Sequence, residues 1–68
     1  MPHIAVTMYP GRSEEIKSNL ADKIQKCVIN ELGIDSKVVS VSIEEIKPEN
    51  WQANVDKFKD NMYIEPGN

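Results

Sequence analysis

Between His3 and Tyr9 the chain alternates, with Ile4, Val6 and Met8 on one side and His3, Ala5, Thr7 and Tyr9 on the other. A period of two predicts a half-covered strand. Pro10-Gly11-Arg12 ends it, because proline and glycine interrupt regular structure. Ser13 then stands at an expected helix N-cap, followed by Glu14 and Glu15 in the first turn, where carboxylates complement the helix dipole. Ile16, Leu20, Ile24, Cys27, Val28 and Leu32 recur at spacings of three and four, which predicts one apolar stripe on a helix of about twenty residues closed by Gly33. A second strand is expected from Val38 to Ile46, with Val39, Val41 and Ile43 on one face and Val38, Ser40, Ser42 and Glu44 on the other. Pro48-Glu49-Asn50-Trp51 reads as a turn or a short helical start. From Gln52 to Asn61 the pattern is polar, with one weak helical segment, and Met62-Tyr63-Ile64 predicts a short strand packed on another subunit before Pro66-Gly67.

Strand, long helix and strand make a β-α-β unit, an α/β (α+β) fold with parallel strands and a right-handed crossover. No linker, repeat or low-complexity tract divides residues 1–68, so one domain is expected. Such a unit cannot close a core. The helix covers one sheet face, and the other still carries apolar groups that pairing across a symmetry axis would cover.

Size leads to the same expectation. At 68 residues a single core is marginal, and small proteins make up the shortfall with disulfides, metals or partners. One cysteine and one histidine exclude an intrachain disulfide and leave no structural zinc set. Self-association remains, and an obligate homo-oligomer is expected. The net charge of −3, with lysine and glutamate interspersed, provides no basic stripe for nucleic acid. No apolar run approaches membrane length and no signal peptide precedes the fold, so a cytoplasmic protein is expected.

Candidate chemistry begins at Met1-Pro2. Removal of an initiator methionine leaves Pro2 with a secondary amine at the terminus. An α-amino group has an ordinary pKa of about 7.8, suited to moving protons near neutrality. With Met1 attached, the same nitrogen is an amide of almost no basicity. The strand starting at His3 would hold Pro2 still, where a bland terminus is usually loose. Arg12 lies between a strand end and a helix start, where exposed N–H groups add partial positive charge and a carboxylate would bind. The competing role is a solvated arginine paired with Glu14 or Glu15. Trp51 suits either a subunit interface or a pocket wall. Cys27, on the predicted apolar stripe, reads as a packed small hydrophobe, and His3 as a polar residue of the sheet face.

Terminal Pro2, the strand, Gly11-Arg12-Ser13-Glu14-Glu15 opening a long helix, and Val39-Ser40-Val41-Ser42-Ile43-Glu44-Glu45 together resemble the 4-oxalocrotonate tautomerase family. The similarity runs without a gap from Pro2 to Trp51. Ile46-Lys47-Pro48-Glu49-Asn50-Trp51 and Tyr63-Ile64-Glu65-Pro66-Gly67 look more like the bacterial branch called tautomerase PptA-like than the founding enzyme. The resemblance implies a tautomerase-type fold with Pro2 as catalytic residue, Arg12 as carboxylate-binding residue and Trp51 as pocket aromatic. It also implies assembly as a hexamer, a trimer of dimers, or as a plain dimer. Ser40 stands where the family has a second arginine, which speaks against a dicarboxylate substrate and leaves a monoacid such as an arylpyruvate enol. The implied reaction is proton transfer by Pro2 between the enol oxygen and carbon, with no metal and no organic cofactor. Two other readings stand beside it: a non-catalytic assembly module of the same fold, and a relative that hydrates or dehalogenates unsaturated acids, with Glu44 or Glu45 activating water.

Overall fold

A computed structural model of the chain describes residues 1–67. Strand β1 (His3–Met8) leads into helix α1 (Glu14–Leu32), then strand β2 (Ser40–Glu45) and a short helix α2 (Trp51–Asp56). The strands are parallel, in register from His3 opposite Ser40 to Met8 opposite Glu45. The α+β class and the parallel pair are as the sequence predicts.

Both ends of α1 form for the expected reasons. Ser13 Oγ accepts the Ile16 N–H at 3.2 Å, satisfying one of the orphan donors of the first turn. Gly33 takes the left-handed conformation, φ 64°, and its N–H donates to the Ile29 carbonyl, an arrangement glycine reaches without a Cβ penalty. The stripe itself is rotated from the predicted one. Leu20, Ala21, Ile24, Val28 and Ile29 are half-buried, whereas Ile16, Leu32 and Cys27 are exposed. Cys27 is therefore not a packed core residue in the single chain. α1 packs on β2, with Lys17, Ser18 and Ala21 facing Val41 and Ile43 across a shallow gap, and this crossing sets which helical rows are covered.

β2 begins later than expected, because Ser36–Val38 forms a 3-10 turn capped by Asp35, whose Oδ1 accepts the Lys37 N–H at 2.9 Å. Within the single chain Met62–Ile64, expected as a strand against another subunit, forms no strand. Among the described residues the sheet has two strands, β1 and β2. Tyr63 and Ile64 stand 99% and 88% exposed.

The core is thin. Among the described residues only Val39, at 8% exposure, and Asn54, at 5%, are buried. The chain exposes 5715 Å². A folded monomer of this mass exposes about 4,300 Å², so roughly 1,400 Å² is in excess.

Candidate active site

The sheet has one face under α1 and one face largely open. On the open face stand His3, Ala5 and Thr7 from β1, with Ser40, Ser42 and Glu44 opposite them on β2. Polar groups gather at both ends of that face.

At the amino end, Pro2 is half-buried and its carbonyl accepts the Ser40 N–H at 3.2 Å. The sheet thus extends to Pro2, as the sequence implied, while Met1 projects fully exposed. Next to Pro2, the His3 ring reaches both Ser40 Oγ, 2.7 Å from Nδ1, and Ser42 Oγ, 3.0 Å from Nε2.

At the other end, Thr7, Met8, Tyr9, Pro10, Arg12 and Trp51 line a depression of ≈ 510 Å³, a size that suits a small organic ligand. Trp51 meets Tyr9 edge to face, with ring centroids 5.1 Å apart and planes at 87°, the geometry favoured by the ring quadrupoles. The buried Asn54 side chain donates from Nδ2 to Thr7 Oγ1 at 3.0 Å. It fastens α2 to the open face and so presents Trp51, the first residue of that helix.

Arg12 is positioned by the loop before α1. Gly11 has φ 123°, which a residue with a Cβ rarely adopts, and its N–H donates to Glu45 Oε2 at 3.2 Å. Lys17 Nζ bridges Glu14 Oε1 at 2.9 Å and Glu45 Oε1 at 3.5 Å. The Lys17 ammonium is held above its ordinary pKa of 10.5, first by the hydrogen bond to Glu14 and then by the charges of Glu14 and Glu45, against partial desolvation. Among the described residues Arg12 joins no ion pair. Glu45 is occupied by this clamp on the α1 face, whereas Glu44 points to the open one.

The structure brings Arg12 and Trp51 together but not Pro2. Seven steps of extended chain separate Pro2 from Tyr9, more than about 20 Å at the rise of a strand. Over that distance in water two unit charges interact by only about 0.2 kcal/mol, and salt screens even that. Arg12 therefore cannot tune the amine of its own chain. Tyr9 and Asn54 were not singled out by sequence. Alternation did put Tyr9 on the open side, but nothing in the polar run Gln52–Asn61 distinguishes Asn54.

The sequence matches the family described as "Tautomerase enzyme" over residues 2–61. It is 40% identical over 55 residues to a probable tautomerase of Xylella fastidiosa, spanning 81% of this chain and 67% of that protein. It is 37% identical over 54 residues to tautomerase PptA of Escherichia coli, spanning 78% and 72%. Among solved structures it resembles TomN, a 4-oxalocrotonate tautomerase homologue in the tomaymycin biosynthetic pathway, with TM-score 0.70 and 34% identity over 74% of this chain and 77% of that one. YwhB, another 4-oxalocrotonate tautomerase homologue, gives TM-score 0.66 and 35% identity over 68% and 75%. The chain belongs to the tautomerase family of isomerases, with the 4-oxalocrotonate tautomerase fold.

Proposed function

We propose that the protein is an enol–keto tautomerase of small 2-oxo acids such as arylpyruvate enols, with Pro2, freed of Met1, as its acid and base. The observation that carries this reading is the open sheet face, with a strand-held Pro2 at one end and the Arg12–Trp51 depression at the other. A two-fold axis lying parallel to that face and perpendicular to the strands would set the amino end of one copy over the carboxyl end of the other. Pro2 then meets the second copy's arginine and tryptophan, and two equivalent sites form at once. The excess exposed area is of the size that a stable interface consumes. A dimer, or a hexamer built of such dimers, satisfies this geometry.

In the assembled site the neutral Pro2 amine takes the enol proton and returns it to carbon. Burial beside the tryptophan and the arginine's charge both disfavour the ammonium, so a larger share of the amine is neutral at pH 7. Arginine holds the substrate carboxylate, and tryptophan packs on its apolar part. Met1, projecting into solvent, can leave without loss of packing.

The test compares conversion of phenylenolpyruvate to its keto form by Met-free protein, by protein retaining Met1 and by Pro2→Ala. Intact mass establishes which form is present. The Met-free protein should be faster than the other two by about 10²-fold or more, the scale of a lost general base. Equal rates for all three would remove Pro2 from the mechanism.

A further inference from the structure

His3 joins the two strands through its side chain. Both ring nitrogens are engaged by hydroxyls two residues apart on β2, Nδ1 with Ser40 and Nε2 with Ser42. A neutral imidazole has one donor nitrogen and one acceptor, so the two serines must play opposite parts. One donates its proton to the ring. The other accepts the ring N–H and keeps its own O–H free for a third group. Ser40 lies directly opposite His3 and is bonded through its backbone to Pro2. Ser42 is two residues further along, about 6–7 Å away.

We propose that His3 is a positioning residue of the Pro2 site, and that it aims the Ser40 hydroxyl at the reacting oxygen of the substrate. This rests on the tautomerase reading of Pro2. The chain of donors runs from Ser42 O–H to His3 Nε2, from His3 Nδ1–H to Ser40 Oγ, and from Ser40 O–H to the substrate. Each link polarises the next, and Ser42 selects the ring tautomer as the partner of a second nitrogen commonly does.

The chemistry needs such a donor. The enol O–H bond breaks and its proton passes to Pro2 nitrogen. The electron pair left on oxygen moves through the double bond to carbon, which takes the proton back from the Pro2 ammonium. Ser40 keeps its own proton throughout and holds the oxygen while negative charge builds there. A fixed donor that tightens only as charge develops lowers the barrier more than it strengthens ground-state binding. A neutral hydroxyl suits a 2-oxo oxygen and brings no charge for a second carboxylate. The relay is exposed in the single chain, at the end of the face that a second copy would shield from competing water.

The test uses Met-free protein. Ser40→Ala should lower kcat roughly 10- to 100-fold, somewhat below the loss of a donor in a closed oxyanion site, with KM within about twofold. Ser40→Thr, which retains the hydroxyl, should recover most of the rate, and His3→Ala should fall with Ser40→Ala. His3 is the one histidine of the chain, so its ring nitrogens report unambiguously by 15N NMR. The Nδ1–H tautomer is expected, giving way to a mixture in Ser42→Ala. An Nε2–H tautomer in the wild type would overturn the proposal. So would wild-type kcat in both Ser40→Ala and His3→Ala while Pro2→Ala is inactive. Full activity in Pro2→Ala would instead bring down the tautomerase reading itself.

Discussion

Among the described residues Arg12 joins no ion pair, while Lys17 engages Glu14 and Glu45. Glu14, the obvious partner by spacing, bonds Lys17 at 2.9 Å, and Glu45 is shared between Lys17 and the Gly11 N–H. The sequence pointed to Arg12 by its place at a loop before a helix, but left open whether an acidic neighbour would claim it. Settling that requires knowing that Glu45, distant in sequence, lies on the α1 face of β2. Arg12→Ala should raise KM for a carboxylate substrate roughly 10- to 100-fold, matching the 1.5–3 kcal/mol of a charge-assisted hydrogen bond, with a smaller change in kcat. Arg12→Lys should recover only part of this, since an ammonium cannot present the guanidinium fork. Steady-state kinetics on an enolpyruvate decide it: an unchanged KM would take Arg12 out of the site.

Helix α1 was legible almost to the residue, because Ser13, Glu14, Glu15 and Gly33 are chemical end signals that act locally. Its buried face was less so. A stripe drawn from apolar residues alone includes Ile16, Cys27 and Leu32, yet sheet contact is made partly through the stem of Lys17, whose side chain is 16% exposed. Lysine covers apolar surface with its methylenes while its ammonium stays at the water's edge. The clamp this lysine makes ties β2, the Gly11 loop and the first turn of α1 together, and its pH dependence has a definite sign. The folded pKa lies above the unfolded one, so the stabilisation is complete below 10.5 and is lost as pH rises through the raised value. Thermal unfolding of wild type and Lys17→Met should therefore differ by a steady gap across neutral pH that closes in the alkaline range above 10.5. A gap that persists there would show that packing of the stem, not charge, carries the effect.

For the molecule as a whole, the radius of gyration is 13.4 Å, against about 11 Å for a compact domain of this length. One sheet face is largely open, and Tyr63 and Ile64 of the apolar tail are exposed. Size and topology led the sequence reading to expect self-association, and the single chain shows the thin core and open sheet face behind that expectation. That Pro2 and Arg12 lie at opposite ends of β1 was also implicit in the residue count between them, since an extended segment cannot fold back on itself. In the proposed function a second copy brings them together, and which surface would do so is not written in one chain's sequence. Subunit mixing tests it directly. Pro2→Ala and Arg12→Ala proteins, each of low kcat/KM, should regain activity when dissociated together and reassociated. A site drawing proline from one copy and arginine from another is intact at random in about a quarter of cases, so recovery should approach a quarter of wild type. Mixing without dissociation should recover nothing. If reassociated material stays at the average of the two parents, the residues serve one chain or no common site, and the shared site is wrong.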